Sequence, residues 1–276
     1  MSYDLAALAR QNGRRRRPRI IRMRRIDPPR SSEADYRRAL TGYLREVRRY
    51  VEEETLPAVR AIRAEITIDA PADDWREADA RLRAFMERMR GPLDDMLGRI
   101  FRAQADRHTD RFAASVRQAI GIDMRALLSA SPGLEQRIGL AIERNVELVT
   151  KFTEEAHGRL AELLSRNLQQ GGTVEQLRED LSRAFDIEAN RAQLIARNEV
   201  ANYNSALNEF RQEEAGIDEY IWRTSQDERV REEHAALEGQ IFRWSDPGPD
   251  EGQHAGYPIN CRCTAEPVLR LDDEQN

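Results

Sequence analysis

From Ser31 to Phe210 the apolar residues return at every third or fourth position, and a chain patterned this way can bury them only as helices laid against other helices. Tyr36, Leu40, Tyr43, Leu44, Val47, Tyr50 and Val51 make a first stripe between charged faces. A second block starts at Pro71, a residue suited to a helix's first turn, and carries Trp75, Leu82, Phe85, Met86 and Met89 to a break at Gly91-Pro92. A third runs from Leu93 through Met96, Leu97, Ile100, Phe101, Phe112 and Val116 to Gly121. After Ser131-Pro132-Gly133 a longer helix carries Leu134, Ile138, Ile142, Val149, Phe152, Ala156, Leu160, Leu163 and Leu164, until Gly171-Gly172 stops it. Thr173 followed three residues later by Gln176 forms a capping box, so another helix begins at once with Val174, Leu177, Leu181 and Phe185. Among these charged helices, His108 and His157 read as surface or packing residues.

The 276 residues are 34% charged and 40% hydrophobic, enough for a modest core and more than one domain usually holds. Two units and a tail follow, as an extended helical part with a small globular end. The net charge of −5 hides an asymmetry, because Arg14, Arg15, Arg16, Arg17, Arg19, Arg22, Arg24 and Arg25 crowd the first thirty residues. Like charges at this density, interrupted by Gly13 and Pro18, predict a mobile arm. Such an arm either meets a polyanion through salt-sensitive attraction or serves only as a solubilising tail. Lys151 is the only lysine; the arginine bias favours forked pairing, but a GC-rich genome is the weightier explanation. No apolar run is long enough to span a bilayer and the N-terminus lacks the apolar core of a signal peptide, so the expectation is a soluble protein made in the cytoplasm.

Beyond Arg191 the chain changes character. A helix with Ala192, Ile195, Ala196, Tyr203, Ala206, Leu207 and Phe210 on one face ends at Gly216. Tyr220, Trp222 and Thr224 alternate with Ile221 and Arg223 as a short strand. Ser225 with Glu228 makes a second capping box for a short helix bearing Val230, His234 and Leu237, ended by Gly239. Ile241, Phe242 and Trp244 form another strand, and a polar loop from Ser245 to Ile259 leads to a strand-like Cys261-Arg262-Cys263. Cysteines one residue apart cannot reach ordinary disulfide geometry without strain, which leaves reduced thiols or metal-bound thiolates. His234, His254, Cys261 and Cys263 together offer two imidazoles and two thiols, the donor set of a structural zinc site. The bland alternative packs Cys261 in the core and leaves both histidines to backbone or carboxylate partners. A catalytic reading also exists, in which Arg197, Glu199, Asp227 and His234, with Arg229 and Arg231 as phosphate binders, form a nuclease or transferase cleft. Helical residues of alternating sign are more often a solvated, ion-paired face, and no phosphate loop or nucleophile motif accompanies them.

The ordered series Arg191-Ala192-x-x-Ile195-Ala196-Arg197-x-Glu199, Asn204, Ala215-Gly216-Ile217, Trp222, Asp227-x-Arg229-Val230-Arg231-x-x-His234, Gly239, His254-x-Gly256-x-Pro258-x-Asn260-Cys261-Arg262-Cys263 and Pro267 resembles the phage Mu F-like minor head proteins, also called the phage head morphogenesis family. The resemblance spans Glu143 to Pro267; Asn198 and Ala255 depart from the family's usual residues. It implies a low-copy virion protein of a tailed phage, not an enzyme, made in the host cytoplasm. Its implied partners are the portal protein and a major capsid or scaffold protein, with DNA contact through the arginine arm, a role in packaging or delivery, and no membrane. The ADP-ribosyltransferase modules of some relatives belong to the enzymatic alternative. The expected fold class is α+β, mainly α. Its expected parts are an arm over 1–30, a helical docking domain over 31–133, connecting helices over 134–190 and a small α+β domain over 191–276.

Overall fold

The computed structural model describes residues 3–11, 20–65 and 75–271. In chain order the elements are α1 (Leu5–Gln11), β1 (Ile20–Arg22), α2 (Arg30–Tyr50), a π-helical turn (Val51–Thr55), α3 (Leu56–Glu65), α4 (Trp75–Ile120), α5 (Arg125–Ser129), α6 (Pro132–Gln169), α7 (Val174–Glu214), β2 (Glu219–Arg223), α8 (Glu232–Leu237), β3 (Ile241–Arg243) and β4 (Thr264–Arg270). The protein is mainly α with one small antiparallel sheet. Two compact units arise, neither continuous in sequence: Met1–Glu33 with Ile100–Ala141 and Arg197–Asn276, and Ala34–Arg99 with Ile142–Ala196. The expected linear division at 133/134 and 190/191 therefore differs from the fold. Residue 191 lies inside α7, which runs unbroken from Val174 because nothing between Phe185 and Arg191 interrupts helical backbone.

The helical unit is built from the stripes. Tyr36, Leu40, Tyr43, Leu44 and Val47 of α2, Leu82, Met86, Leu93 and Leu97 of α4, Val149, Phe152, Ala156, Leu160 and Leu164 of α6, and Leu177, Leu181 and Phe185 of α7 are all buried. Each large apolar side chain removed from water contributes on the order of 2 kcal/mol. Exposed pairs such as Arg49–Glu46 and Arg83–Glu87 are screened by water and contribute little beside this, so the stripes hold the unit. Tyr50 stacks on Phe85 with centroids 4.3 Å apart, the Tyr43 hydroxyl donates to the Met86 carbonyl at 3.3 Å, and His157 pairs with Asp79 at 3.0 Å. The capping box closes as expected: Gln176 N–H donates to Thr173 Oγ1 at 3.1 Å and Thr173 N–H to Gln176 Oε1 at 2.7 Å. One expectation fails. Gly91-Pro92 does not end a helix; α4 passes through it, because both residues are exposed and water can take up the carbonyl that Pro92 leaves without a donor. The expected start at Pro71 lies outside the described residues.

The sheet-bearing unit holds β1-β4-β2-β3 in that order, all pairs antiparallel. β2 is central, with Tyr220 opposite Pro267 on one side and Phe242 on the other. Glu219, Tyr220, Ile221 and Trp222 are all buried, so β2 is covered on both faces rather than half-exposed. The reading of 1–30 as an arm is corrected for its described residues. Leu5, Ala9, Met23 and Ile26 are buried in a core with Phe112, Val116, Ile120, Leu128, Ile217 and Leu269. Backbone ties hold the segment as well: Leu5 N–H to the Ala215 carbonyl at 3.2 Å, Met23 N–H to the Pro267 carbonyl at 3.0 Å, and the Asn204 and Asn208 amides to the Ile26 carbonyl at 2.8 and 3.2 Å. The apolar residues between the arginines outweigh the repulsion that suggested a tail. Arg14, Arg15, Arg16, Arg17 and Arg19 lie outside the described residues.

Candidate metal centre

Three of the four residues expected as metal ligands come together beside β2. His234 on α8, Cys261 and Cys263 are each at most 4% exposed, and their ligand atoms all lie within 4.8 Å of one another. Nδ1 of His234 is 3.6 Å from each sulfur. Its other nitrogen, Nε2, meets Asp250 Oδ2 at 3.0 Å, and its ring stands edge-on to Trp222 with centroids 5.3 Å apart. Cys261 Sγ accepts the Cys263 N–H at 3.3 Å.

Local backbone chemistry produces this geometry. Residues 261–263 are not a strand. Asn260 has a φ of 59°, the Cys261 N–H donates to the Pro258 carbonyl at 2.9 Å, and the resulting bend turns both sulfurs toward one ring nitrogen before β4 starts at Thr264. The Asn260 N–H is held by Asn198 Oδ1 at 3.1 Å, so Asn198 supports the turn. The expected capping box at Ser225 does not form; α8 begins at Glu232 after a turn in which Asp227 Oδ1 accepts the Arg229 N–H at 3.1 Å. Gln226, which would be the first helical residue, takes a left-handed φ of 53°, so no helix can start at Ser225. Arg262 points away from the sulfurs and forks onto Asp227 at 2.5 and 2.6 Å, and Arg231 donates to the Ile259 carbonyl at 2.6 Å. These two arginines fasten the loop to the turn before α8.

The thiols differ electrostatically. A hydrogen bond from the Cys263 thiol, the backbone amides of Cys263 and Gly256, and attraction to His234 hold Cys261 down at about 6 against the opposing effect of burial. Cys263 is pushed up, by its hydrogen bond to Cys261, by burial and by the neighbouring negative sulfur.

His254 is not brought into this cluster. Its Nδ1 lies 2.8 Å from the Tyr220 hydroxyl and its ring 4.8 Å from that of Trp244, and burial lowers its pKa. The chain direction through Ala255 and Gly256 carries His254 to the aromatic cluster instead. Sequence reasoning missed Asp250 and Trp222 as members of the site. An acidic residue in a loop dense with acids carried no periodic signal, and Trp222 read only as a strand residue. Of the residues considered for catalysis, Arg197 pairs with Glu33 at 3.7 Å, Asp227 with Arg262 and His234 with Asp250, while Glu199 is buried and Arg229 and Arg231 are exposed.

Fold and site define a class: a mainly helical protein whose small antiparallel sheet carries a buried cluster of two thiols and one imidazole. Residues 159–266 match the family described as Phage Mu protein F like protein. The match supports a structural, phage-head-related role. An uncharacterized protein of Haemophilus influenzae is 31% identical over 177 residues, which is 64% of this chain and 39% of that protein. An uncharacterized protein of Methanocaldococcus jannaschii is 34% identical over 108 residues, 39% of this chain and 17% of that protein. The chain thus spans well under half the length of either relative. No solved structure matches it at a significant level. No described helix is long and apolar enough to cross a membrane.

Proposed function

We propose that this chain is a minor head protein of a tailed bacteriophage, acting in head morphogenesis by binding the portal and procapsid. The single observation that carries the reading is the family match over residues 159–266. The portal, with major capsid or scaffold protein beside it, is the proposed partner, and the virion is the proposed location. Exposed apolar side chains on helices, including Leu127, Leu140, Ile187 and Leu194, support docking to protein rather than turnover of a small substrate. Assistance in DNA packaging or delivery is the finer part of the proposal. It is supported by a hollow of about 910 Å³ in the sheet-bearing unit lined by Arg24, Arg25, Arg30 and Arg111, in which Arg111 donates to the Asp27 carbonyl at 3.1 Å. Guanidinium groups at this density attract phosphate, and that attraction weakens with salt.

Co-expression of the full chain with the portal protein encoded by the same phage, followed by size-exclusion chromatography with mass measurement, tests the reading. A complex of fixed stoichiometry is expected. Separate elution at all protein concentrations, with each partner folded, contradicts portal binding.

A further inference from the structure

We propose that His234, Cys261 and Cys263 bind one thiophilic cation of the zinc class, with Asp250 orienting the imidazole from behind and His254 outside the ligand set. With metal–sulfur bonds near 2.3 Å and metal–nitrogen bonds of 2.0–2.1 Å, the edges of a tetrahedral site come to about 3.5 Å for nitrogen to sulfur and about 3.8 Å for sulfur to sulfur. Both nitrogen-to-sulfur separations are 3.6 Å, and the third edge is within 4.8 Å. One small closure of the sulfurs completes a chelating face.

Proton counting leads to the same place. The Asp250 carboxylate can only accept, so the ring proton of neutral His234 belongs on Nε2 and the Nδ1 lone pair faces the sulfurs. One lone pair takes one S–H, whereas two sulfurs stand at equal distance from it. A cation satisfies all three donors at once. The carboxylate behind the imidazole is the outer-shell arrangement that fixes the tautomer of metal-binding histidines.

A second observation is independent of those distances. Trp222, edge-on to the His234 ring, is fully buried and its indole N–H has no hydrogen-bond partner, so an unsatisfied donor lies beside the cluster. The Cys261 sulfur already accepts the Cys263 N–H. A donor held on sulfur suits a thiolate, the form that binds metal, better than a thiol. Soft thiolates with one imidazole select zinc-like ions over magnesium or calcium. Among the described residues no further His, Cys, Asp or Glu joins the group, so the fourth corner belongs to solvent or a small ligand. Bound metal would cross-link α8, the Ser245–Ile259 loop through Asp250, and the segment entering β4. Within that loop the backbone pairings are short, Gly248 with Gly252 and Asp250 with Gln253.

The test uses the full chain, purified under reducing conditions from zinc-supplemented culture, with metal content measured by mass spectrometry. After chelation it is titrated with cobalt and cadmium while the thiolate-to-metal charge-transfer band is followed. One equivalent per chain is expected for the natural protein and for His254→Gln, with no band for Cys261→Ser or Cys263→Ser. Asp250→Ala should weaken binding by about 10–100-fold. Zinc-free natural protein that develops no band with either ion overturns the proposal without reference to any variant. Loss of the band in His254→Gln, with circular dichroism unchanged, overturns the three-ligand assignment.

Discussion

Gln212, near the end of α7, accepts the indole N–H of Trp244 at 3.0 Å, and its own amide donates to the Ala265 carbonyl in β4 at 3.4 Å. Gln212 is fully buried, so one side chain joins helix to sheet where water cannot substitute. Gln212→Leu strands the indole N–H and the carbonyl, at about 1–3 kcal/mol for each unsatisfied group. A loss of about 2–6 kcal/mol in urea unfolding is expected. A change within experimental error would show that the sheet is held by apolar contact alone.

Gly256 has a φ of +88°, and a Cβ there would overlap Ser205 Oγ and stand 3.0 Å from the Cys263 carbonyl oxygen. Gly256→Ala should lower stability by more than about 2 kcal/mol, the sum of left-handed strain and displacement of the chain at Cys263. Adding Ser205→Ala should restore only part of the loss, because the backbone oxygen and the φ remain. Full recovery in melting temperature would show that the hydroxyl alone imposes the requirement for glycine.

His108 supplies the pH dependence. It is buried, its Nε2 lies 2.9 Å from Asn208 Oδ1, and desolvation, aided by the charges of Arg211 and Arg111, lowers its pKa from 6.5 to about 4. Above pH 6.5 neither folded nor unfolded chain binds this proton, so His108 contributes no slope there. As pH falls from 6.5 to about 4 the unfolded chain takes the proton and the folded chain does not, so stability declines by about 3 kcal/mol at most, and below that it levels. Unfolding free energies measured across this range should show the decline in the natural protein and a flatter profile in His108→Gln. Equal slopes would remove His108 as the cause.

Arg211 is fully buried, with Glu214 at 2.8 Å and Thr109 Oγ1 at 2.8 Å, and burial lowers its pKa. Arg211→Met leaves the Glu214 carboxylate without its cation and should cost about 3–5 kcal/mol. Arg211→Met with Glu214→Leu should recover much of that loss, since the pair's own net contribution is small beside its desolvation. A double variant as unstable as the single one would mean that packing, not charge, sets the cost.

The helices were legible because burial on one side of a helix writes itself into spacing; the stripe from Tyr36 to Val47 is buried as read. Their ends were less so. Gly91-Pro92 looks like a stop in any local reading, yet an exposed proline leaves its orphaned carbonyl to water and the flanking Met86, Leu93 and Leu97 keep the helix packed. Thr173 and Ser225 begin equally good capping boxes on paper, and only the first forms, because the backbone turns left-handed at Gln226. Residues 1–30 were read by their arginines, whereas Leu5, Met23 and Ile26 decide where the described part goes. In the site, residue types pointed to His234, Cys261 and Cys263. The exchange of His254 for Asp250 depends on loop direction, which no spacing records.

The central claim is that the chain serves the phage head, and quantitative mass spectrometry of DNA-filled particles purified from the strain that encodes it tests this directly. The account predicts the chain in those particles at a fixed number of copies far below that of the major capsid protein, and retained after washing in high salt. Particles that are complete and infectious without it, with the chain left in the soluble lysate, would contradict the account.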